Sequence, residues 1–269
     1  MPARAVLFDL GDTLIFEARA PDDATLYDMM TQRVRPLLRQ WNVQQIFDLP
    51  ALLRELYRAV DTAEPARRER GYEVDAPFIA RGALAAYGID ASPDQAHQFW
   101  AATNVGLDLW GAQAYPDAID TLQRLRSANM PVALVSNTWF HSPVVRDQLA
   151  GIRITPHLLP VIVTSADLMR PKPRPEPFLR ALDALAVAAA DAVFVGDSLE
   201  ADVRGAKALG MTTVWKLNGR HEVPPEPEAD YTVHDLWELF TLDLLPEAPD
   251  AALSQQSLTP HEDGNAGRY

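Results

Sequence analysis

The sequence predicts an α/β fold in which a parallel sheet carries an inserted, all-helical segment. Five short apolar runs are rich in β-branched residues and do not alternate with polar residues, which is typical of strands covered on both faces of a parallel sheet. A helical pattern precedes each of the last four runs, and alternation of strand and helix is the signature of α/β proteins. The runs cover residues 5–9, 132–136, 161–164, 193–196 and 213–216.

The helices of the predicted sheet are read from amphipathic spacing. Gly210 follows the last of them, at the position where a glycine commonly ends a helix. The helices cover residues 117–128, 142–150, 175–185 and 200–209.

The long stretch between the first and second runs shows helical patterns and no convincing strand. A stripe of apolar residues from Leu26 to Trp41 has helical spacing, and Ser92-Pro93-Asp94-Gln95 is a capping box that opens a later helix. The last residues have no periodicity and are rich in polar residues, Pro and Gly. We therefore predict three parts, which are a Rossmann-like core over residues 1–16 and 116–245, a helical domain over 17–115 and a flexible tail over 246–269.

The composition restricts the classes of partner. The chain has 269 residues, 48% of them hydrophobic, and a formal net charge of −13. Nucleic acids and anionic membrane surfaces attract basic proteins, so neither is an expected partner. No apolar run reaches the roughly 18 residues of a membrane span, and the first strand starts too early for a signal peptide. The chain has no cysteine, which excludes disulfides and thiolate chemistry, and we expect a cytoplasmic protein.

Polar side chains that suit phosphoryl chemistry follow four of the predicted strands. Ligands bind at the carboxyl ends of strands in an open parallel sheet, so these side chains are expected to converge. Carboxylates in excess of cations indicate a hard divalent metal such as Mg²⁺. A metal, a lysine and a serine form a cradle for a phosphoryl group, toward which a carboxylate can act as nucleophile. The candidates are Asp9, Asp12, Ser136, Asn137, Lys172, Asp197 and Asp202.

These segments resemble the four motifs of the haloacid dehalogenase-like hydrolase superfamily, in the family's order. Its motifs are an Asp with Thr four residues on, a strand ending in Ser or Thr, a Lys often followed by Pro, and Gly-Asp with a second Asp further on. The resemblance covers about residues 3–240 and implies that residues 17–115 form the family's helical cap. The matches are Asp9 with Thr13, Ser136-Asn137, Lys172-Pro173, and Gly196-Asp197-Ser198 with Asp202.

The resemblance implies a role for each matched position. Asp9 attacks phosphorus in line and becomes an aspartyl-phosphate. Ser136 and the backbone of Asn137 bind phosphoryl oxygens, and Lys172 offsets the negative charge on the nucleophile and the phosphoryl group. The implied ligands of Mg²⁺ are Asp9, Asp197 and the backbone carbonyl of Gly11, with Asp202 in the metal shell or next to it.

Gly11 departs from the pattern of the family's phosphatases. That position usually carries a second Asp, the general acid that protonates the leaving oxygen, and general acid catalysis contributes about 10²–10⁴-fold. Here the nearest Asp is one residue later, and such a shift normally turns a side chain away. A turn role is therefore the favoured interpretation of Asp12, with catalysis as the alternative. Three explanations stay open: Asp12 or a cap residue supplies the proton, the enzyme favours easy leaving groups, or turnover is slow.

The expected activity is that of a Mg²⁺-dependent phosphatase acting on a small phosphorylated metabolite. One alternative is a metal-independent 2-haloacid dehalogenase, which also uses an Asp nucleophile and lacks the second Asp of the first motif. Asp197 and Asp202 argue against it, because without a metal they would repel a halocarboxylate. A second is a catalytically weak relative that acts as a binding or scaffold protein, and a third is a transferase of the phosphomutase kind.

Three further groups receive a prediction. Residues 67–70 (Arg-Arg-Glu-Arg) are expected to be a solvated face, with contact to an anionic substrate as the alternative. Residues 139–141 (Trp-Phe-His) follow the second motif and are candidates for lining the cleft. Lys207 and Lys216 match no motif and are expected at the surface.

Overall fold

The computed structural model describes residues 2–43, 48–218 and 228–245. The tail predicted over residues 246–269 lies outside the described residues. The strands are β1 (Ala5–Phe8), β2 (Ile15–Glu17), β3 (Ala112–Ala114), β4 (Val132–Ser136), β5 (Val161–Thr164), β6 (Ala192–Gly196), β7 (Thr212–Lys216) and β8 (Tyr231–Val233). Six of them form one parallel sheet in the order β5-β4-β1-β6-β7-β8, which confirms the predicted α/β class.

The strand order fixes where a ligand crevice can lie. If the six strands are counted in chain order, their order across the sheet is 3-2-1-4-5-6, which is that of a Rossmann fold. Ligands of such sheets bind beyond the carboxyl ends of the strands, at the point where the order reverses. Here that point lies between β1 and β6, the strands that precede Asp9 and Asp197.

The helices that connect and cover the strands start mostly at capping residues or at proline. The side chains of Asp22, Asp48, Asp75 and Ser92 each accept a hydrogen bond from a backbone N–H of the first helical turn. The helices are α1 (Asp23–Gln40), α2 (Leu49–Glu69), α3 (Ala76–Ala86), α4 (Pro93–Thr103), α5 (Leu107–Trp110), α6 (Pro116–Ser127), α7 (Ser142–Gly151), α8 (Ser165–Leu168), α9 (Pro175–Leu185) and α10 (Gly205–Lys207). In the described part of the chain, no helix has the length and apolar character that crossing a membrane requires.

The buried apolar side chains form separate clusters in the sheet and in the helical segment. Neighbouring strand residues point to opposite faces, so Leu7 and Phe8 belong to the clusters on the two sides of the sheet. Helices α1 to α4 enclose a third cluster of their own, which includes Leu53 and Trp100. Trp139 and Phe140, which follow β4, pack against this third cluster and so join the helical segment to the sheet.

The prediction that residues 17–115 contain no strand is wrong at both ends. β2 and β3 pair antiparallel where the chain leaves the sheet and returns to it. The rings of Phe16 and Tyr115 lie beside this pair with their centroids 4.9 Å apart, and the N–H of Tyr115 donates to the carbonyl of Leu14 at 3.0 Å. Each strand has three residues, too few to show alternation in the sequence.

The α-helix predicted over residues 200–209 is also different. Residues Leu199–Arg204 form a π-helical turn, and only the short α10 follows it. The N–H of Val203 donates to the carbonyl of Ser198, five residues back, at 3.1 Å. Wide turns of this kind are rare and occur frequently at functional sites.

Candidate active site

Lys172 lies between two carboxylates beyond the carboxyl end of the sheet. Its Nζ is 2.7 Å from Oδ1 of Asp9 and 2.6 Å from Oδ1 of Asp202, and only 3% of the residue is exposed. Burial alone would lower the pKa of Lys172, but the charges of Asp202 and Asp9 outweigh it, so the pKa lies above its usual value. The side chain is therefore a permanent ammonium between two acids.

Asp9 is positioned by the central strands of the sheet. Its N–H donates to the carbonyl of Val195 in β6 at 2.9 Å, which continues the ladder of β1 and β6 by one residue. The hydroxyl of Thr13 lies 3.4 Å from the second carboxylate oxygen of Asp9. The carboxylate therefore has a fixed place at the reversal point of the sheet.

Asn137 connects the second motif to the third. Its amide nitrogen donates to the carbonyl of Lys172 at 3.0 Å, and its amide oxygen accepts from the N–H of Lys172 at 2.8 Å. The sequence assigns only the backbone of Asn137 to the site, and this use of the side chain was not predicted. The preceding residue, Ser136, ends β4 and is buried. Together with Asn137 and Gly11 it lines a cavity.

Three acids form a cluster that could hold a metal ion. Carboxylate oxygens of Asp9, Asp197 and Asp202 all lie within 4.8 Å of one another. Burial, followed by the charges of Asp9 and Asp202, raises the pKa of Asp197 to about 7. Burial also raises the pKa of Asp202, against the lowering effect of Lys172. Carboxylates this close together repel one another when all of them are ionised. A hard divalent cation prefers oxygen ligands, and its charge would offset that repulsion.

The π-helical turn places Asp202 in this cluster. Oδ1 of Asp202 accepts from Lys172, and Oδ2 accepts from the N–H of Ser198 at 3.0 Å. Both oxygens of Asp202 thus have donors within the protein, as both oxygens of Asp9 do.

Gly11 and Asp12 form a turn after β1 that is hydrogen-bonded to the segment following β7. Asp12 has a φ of 56°, and its carbonyl accepts a hydrogen bond from the side chain of Asn218. Lys216, at the end of β7, donates to the side chain of the same Asn218. A left-handed turn residue of this kind agrees with the turn role favoured for Asp12.

The surface position expected for Lys216 is wrong. The residue is 1% exposed, and its Nζ lies 3.5 Å from the centroid of the Tyr115 ring. Burial lowers its pKa, while the cation–π contact and the bond to Asn218 stabilise its ammonium. Lys207 is half-exposed and pairs with Asp230 at 2.9 Å, as expected of a surface lysine.

Two cavities share Asn137 in their walls. The first, of about 330 Å³, is lined by Gly11 and Ser136 and by residues of the helical segment, and we call it the aromatic cavity. Of the three candidates for lining the cleft, Trp139 and Phe140 line this cavity, whereas His141 contacts Asp167 at 3.1 Å.

The second cavity, of about 410 Å³, is the basic cavity. Its lining includes the cations Lys172, Arg68 and Arg174 and the acids Glu69 and Glu200. Arg174 also donates to the carbonyl of Arg70 at 3.3 Å. The run at residues 67–70 is exposed, as expected, and its Arg68 and Glu69 also line the cavity that contains Lys172.

Fold and site together define an α/β protein with an acid cluster and a buried lysine at its ligand crevice. The model of the haloacid dehalogenase-like hydrolase family matches residues 3–210, and the chain belongs to this family. The cap placement and the catalytic roles of the individual residues stay predictions.

Curated proteins of similar sequence match about half of this chain or less. A phosphoserine phosphatase of Thermus thermophilus is 34% identical over 131 residues, which are 49% of this chain and 51% of that one. A glyceraldehyde 3-phosphate phosphatase of Methanopyrus kandleri is 34% identical over 45% of this chain and 50% of its own. A phosphoglycolate phosphatase of Escherichia coli is 32% identical over 39% and 40%. The matched segments thus span about half the length of these relatives or less.

Solved structures resemble nearly the whole chain. A HAD phosphatase from Thermococcus onnurineus superposes with a TM-score of 0.51 at 26% identity, covering 88% of this chain and 96% of that one. A 2-haloacid dehalogenase from Pseudomonas syringae gives a TM-score of 0.55 at 22% identity, over 88% and 96%. The second likeness is one of fold alone.

Proposed function

We propose that the chain is a Mg²⁺-dependent phosphatase that hydrolyses a small phosphorylated metabolite through a phospho-aspartate on Asp9. The observation that carries the proposal is the contact of Lys172 with both Asp9 and Asp202, next to Asp197. An isolated buried ammonium needs one counter-charge, and three acids around it leave a negative excess that a divalent cation would balance. The names of the curated relatives support phosphate esters as substrates.

The chemistry can be assigned to residues of this chain. An oxygen of Asp9 forms a bond to phosphorus while the bond from phosphorus to the ester oxygen breaks, and the departing alkoxide takes up a proton from the solvent. Water then attacks phosphorus, the bond to Asp9 breaks, and phosphate leaves with the carboxylate restored, while the proton lost by the attacking water returns to the solvent. Lys172 offsets the negative charge of Asp9 and of the phosphoryl group, and Ser136 with the backbone of Asn137 holds the phosphoryl oxygens.

The metal would be held by Asp9, Asp197 and the carbonyl of Gly11, with Asp202 behind them. When bound, Mg²⁺ supplies positive charge that neutralises the phosphoryl oxygens and the acid cluster. We also propose that residues 17–115 act as the cap, because the aromatic cavity has walls from both the sheet and this segment. A closed cap would exclude water and strengthen each charge interaction at the site. The cytoplasmic location stays a prediction from the sequence.

The dehalogenase alternative is not favoured. The named relatives that match in sequence are phosphatases, and the dehalogenase resembles the chain in fold alone. Asp197 and Asp202 also place negative charge where a halocarboxylate would have to bind.

The test is a phosphate-release assay over sugar phosphates, nucleotides, acyl phosphates and aryl phosphates, with Mg²⁺ or with chelator. Asp9→Asn keeps the shape of the nucleophile and should lower release by at least about 10³-fold. Asp183→Asn, an exposed carboxylate on α9, is the matched control and should behave as the wild type. Absence of Mg²⁺-dependent release from every ester, or full release by Asp9→Asn, contradicts the proposal.

A further inference from the structure

The geometry points to an aromatic alcohol without charged substituents as the leaving group of the substrate, bound in the aromatic cavity. The inference rests on the proposed phosphatase function and names the class of ester, an aryl phosphate. Gly11, Ser136 and Asn137 line the cavity, so it opens directly onto the place proposed for the phosphoryl group. The ester oxygen would lie near Gly11 and the alcohol would extend between the sheet and the helical segment.

The walls of the aromatic cavity carry no formal charge. All 18 described residues that line it are apolar, aromatic, amide or hydroxyl residues. Trp139 and Phe140 come from the sheet side, and Met30, Tyr57 and Trp110 come from the helical segment and its return to the sheet. Predominantly apolar and aromatic walls are what sites for aromatic small molecules present.

Several polar groups of the walls already have partners within the protein. The hydroxyl of Tyr57 lies 3.0 Å from that of Thr103. The side-chain oxygen of Asn104 accepts from the N–H of Gly106 at 3.0 Å and from Gln148 at 2.6 Å. A carboxylate or a second phosphate in this cavity would lose its water without gaining a cation, which is strongly unfavourable.

Gly11 provides a second, independent observation. A Cβ added there would meet no atom within 4 Å, so position 11 is open space at the phosphoryl end of the cavity. An acid at this position is what an alkyl alcohol would need as proton donor. A phenol, with a pKa of about 10, leaves as its anion far more readily than an alkyl alcohol. The uncharged walls of the aromatic cavity and the absence of an acidic side chain at position 11 therefore both suit an aryl ester.

The basic cavity is where a second anionic group would bind instead. Arg68, Arg174 and Lys172 outnumber Glu69 and Glu200 in its lining, and it shares Asn137 with the aromatic cavity. Several named relatives act on phosphate esters whose names imply a carboxylate, such as phosphoserine and phosphoglycolate. Binding in the aromatic cavity thus predicts a leaving group without a charged substituent, and binding in the basic cavity predicts one with an anionic substituent.

The first experiment compares phenyl phosphate with 4-carboxyphenyl phosphate at saturating Mg²⁺. The two esters have similar bonds to break and differ by one negative charge. We expect kcat/KM to be at least about 30-fold higher for the uncharged ester, because the carboxylate would be desolvated without a partner. Equal values, or a preference for the charged ester, overturn the inference in favour of the basic cavity.

The second experiment fills the aromatic cavity. Val105 is 3% exposed and lines the cavity, and Val105→Phe should lower the kcat/KM ratio of 2-naphthyl to phenyl phosphate by at least about tenfold. Ala83→Phe makes a similar change in a separate cavity between α2 and α3 and should leave the ratio unaltered. Thermal unfolding of both variants verifies that they fold. An unchanged ratio in Val105→Phe contradicts the inference.

A binding measurement separates this inference from the proposed activity. Calorimetry with 2-naphthol and 6-hydroxy-2-naphthoate should show at least tenfold tighter binding of the uncharged alcohol by the wild type, lost in Val105→Phe. If 2-naphthol binds in this way but no ester is hydrolysed, the phosphatase proposal fails and the cavity assignment stands. If esters are hydrolysed but neither alcohol binds preferentially, the phosphatase proposal stands and the cavity assignment fails.

Discussion

The side chain of Asn137 forms two hydrogen bonds with the backbone of Lys172, 35 residues further along the chain. This pair fixes the lysine without using its ammonium, which stays available to the two acids. Asn137→Ala should reduce kcat by about 10²-fold with a smaller change in KM, because a small displacement of a catalytic group has a large effect on rate. The two lost hydrogen bonds should also lower the free energy of unfolding by about 1–3 kcal/mol. Steady-state kinetics and urea unfolding measure both, and an unaltered kcat contradicts the positioning role.

Lys172→Met removes the ammonium from a buried acid cluster. Removing one partner of a buried ion pair typically costs about 3–5 kcal/mol, and we expect a loss of that order in metal-free protein at pH 8. Mg²⁺ should restore part of the stability, because it supplies the missing positive charge. Lys207→Met is the matched control, since its half-exposed ion pair is worth no more than about 1 kcal/mol. Thermal unfolding with and without Mg²⁺ provides the comparison, and equal losses in the two variants contradict the prediction.

The stability of the metal-free protein should fall as the pH rises from about 4.5 to 7. The folded-state pKa of Asp197 is about 7 and that of an unfolded Asp is 3.8, so the folded protein binds the extra proton in this interval. Raising the pH removes that proton and restores the repulsion from Asp9 and Asp202. Asp197→Asn should flatten the dependence. Urea unfolding in chelator at several pH values tests this, and a stability that rises across the interval to the same extent in both proteins is the contrary result.

Binding of Mg²⁺ should be coupled to the same proton. As the pH rises toward 7, the affinity for Mg²⁺ should increase by up to about tenfold per pH unit, because the carboxyl group of Asp197 must be ionised to bind the metal. Calorimetry in buffers with different ionisation enthalpies would detect the released proton. An affinity that does not change between pH 5.5 and 7 contradicts the assignment of Asp197 as a ligand.

Gly11→Asp should supply a general acid at the position that glycine occupies here. The position has open space for a side chain and its backbone has no left-handed strain. We expect a gain of about 10²-fold or more in kcat for alkyl phosphates and little gain for 4-nitrophenyl phosphate, whose leaving group needs no proton. Gly11→Asn fills the same space without an acid and is the control. A gain of equal size for both esters, or in both variants, argues against general acid catalysis.

The site residues that could be predicted from the sequence are those at the carboxyl ends of strands. Asp9 and Asp197 each follow a short buried strand and Ser136 ends one, and parallel strands bring such positions to one edge. The strand pattern therefore predicts both the α/β class and the meeting of these residues.

The parts that could not be predicted depend on contacts between distant segments. The burial of Lys216 depends on Tyr115 and Asn218, and a lone lysine at a strand end carries no sign of either. The aromatic cavity combines residues from at least four stretches of the chain, so its lack of charge is visible only after folding. The π-helical turn arises from bonds to Ser198 and Lys172 that helical periodicity does not encode.

That turn has a consequence for engineering the protein. A π-helical turn holds one residue more than an α-helical turn, and deletion of Ala201 would let the segment close into a regular α-helix. Each residue of an α-helix advances by about 100°, so the shortened segment would rotate Asp202 away from Lys172. The variant would have the more regular backbone and an incomplete acid cluster. Substitutions chosen only for helix propensity between residues 199 and 204 would therefore work against the site.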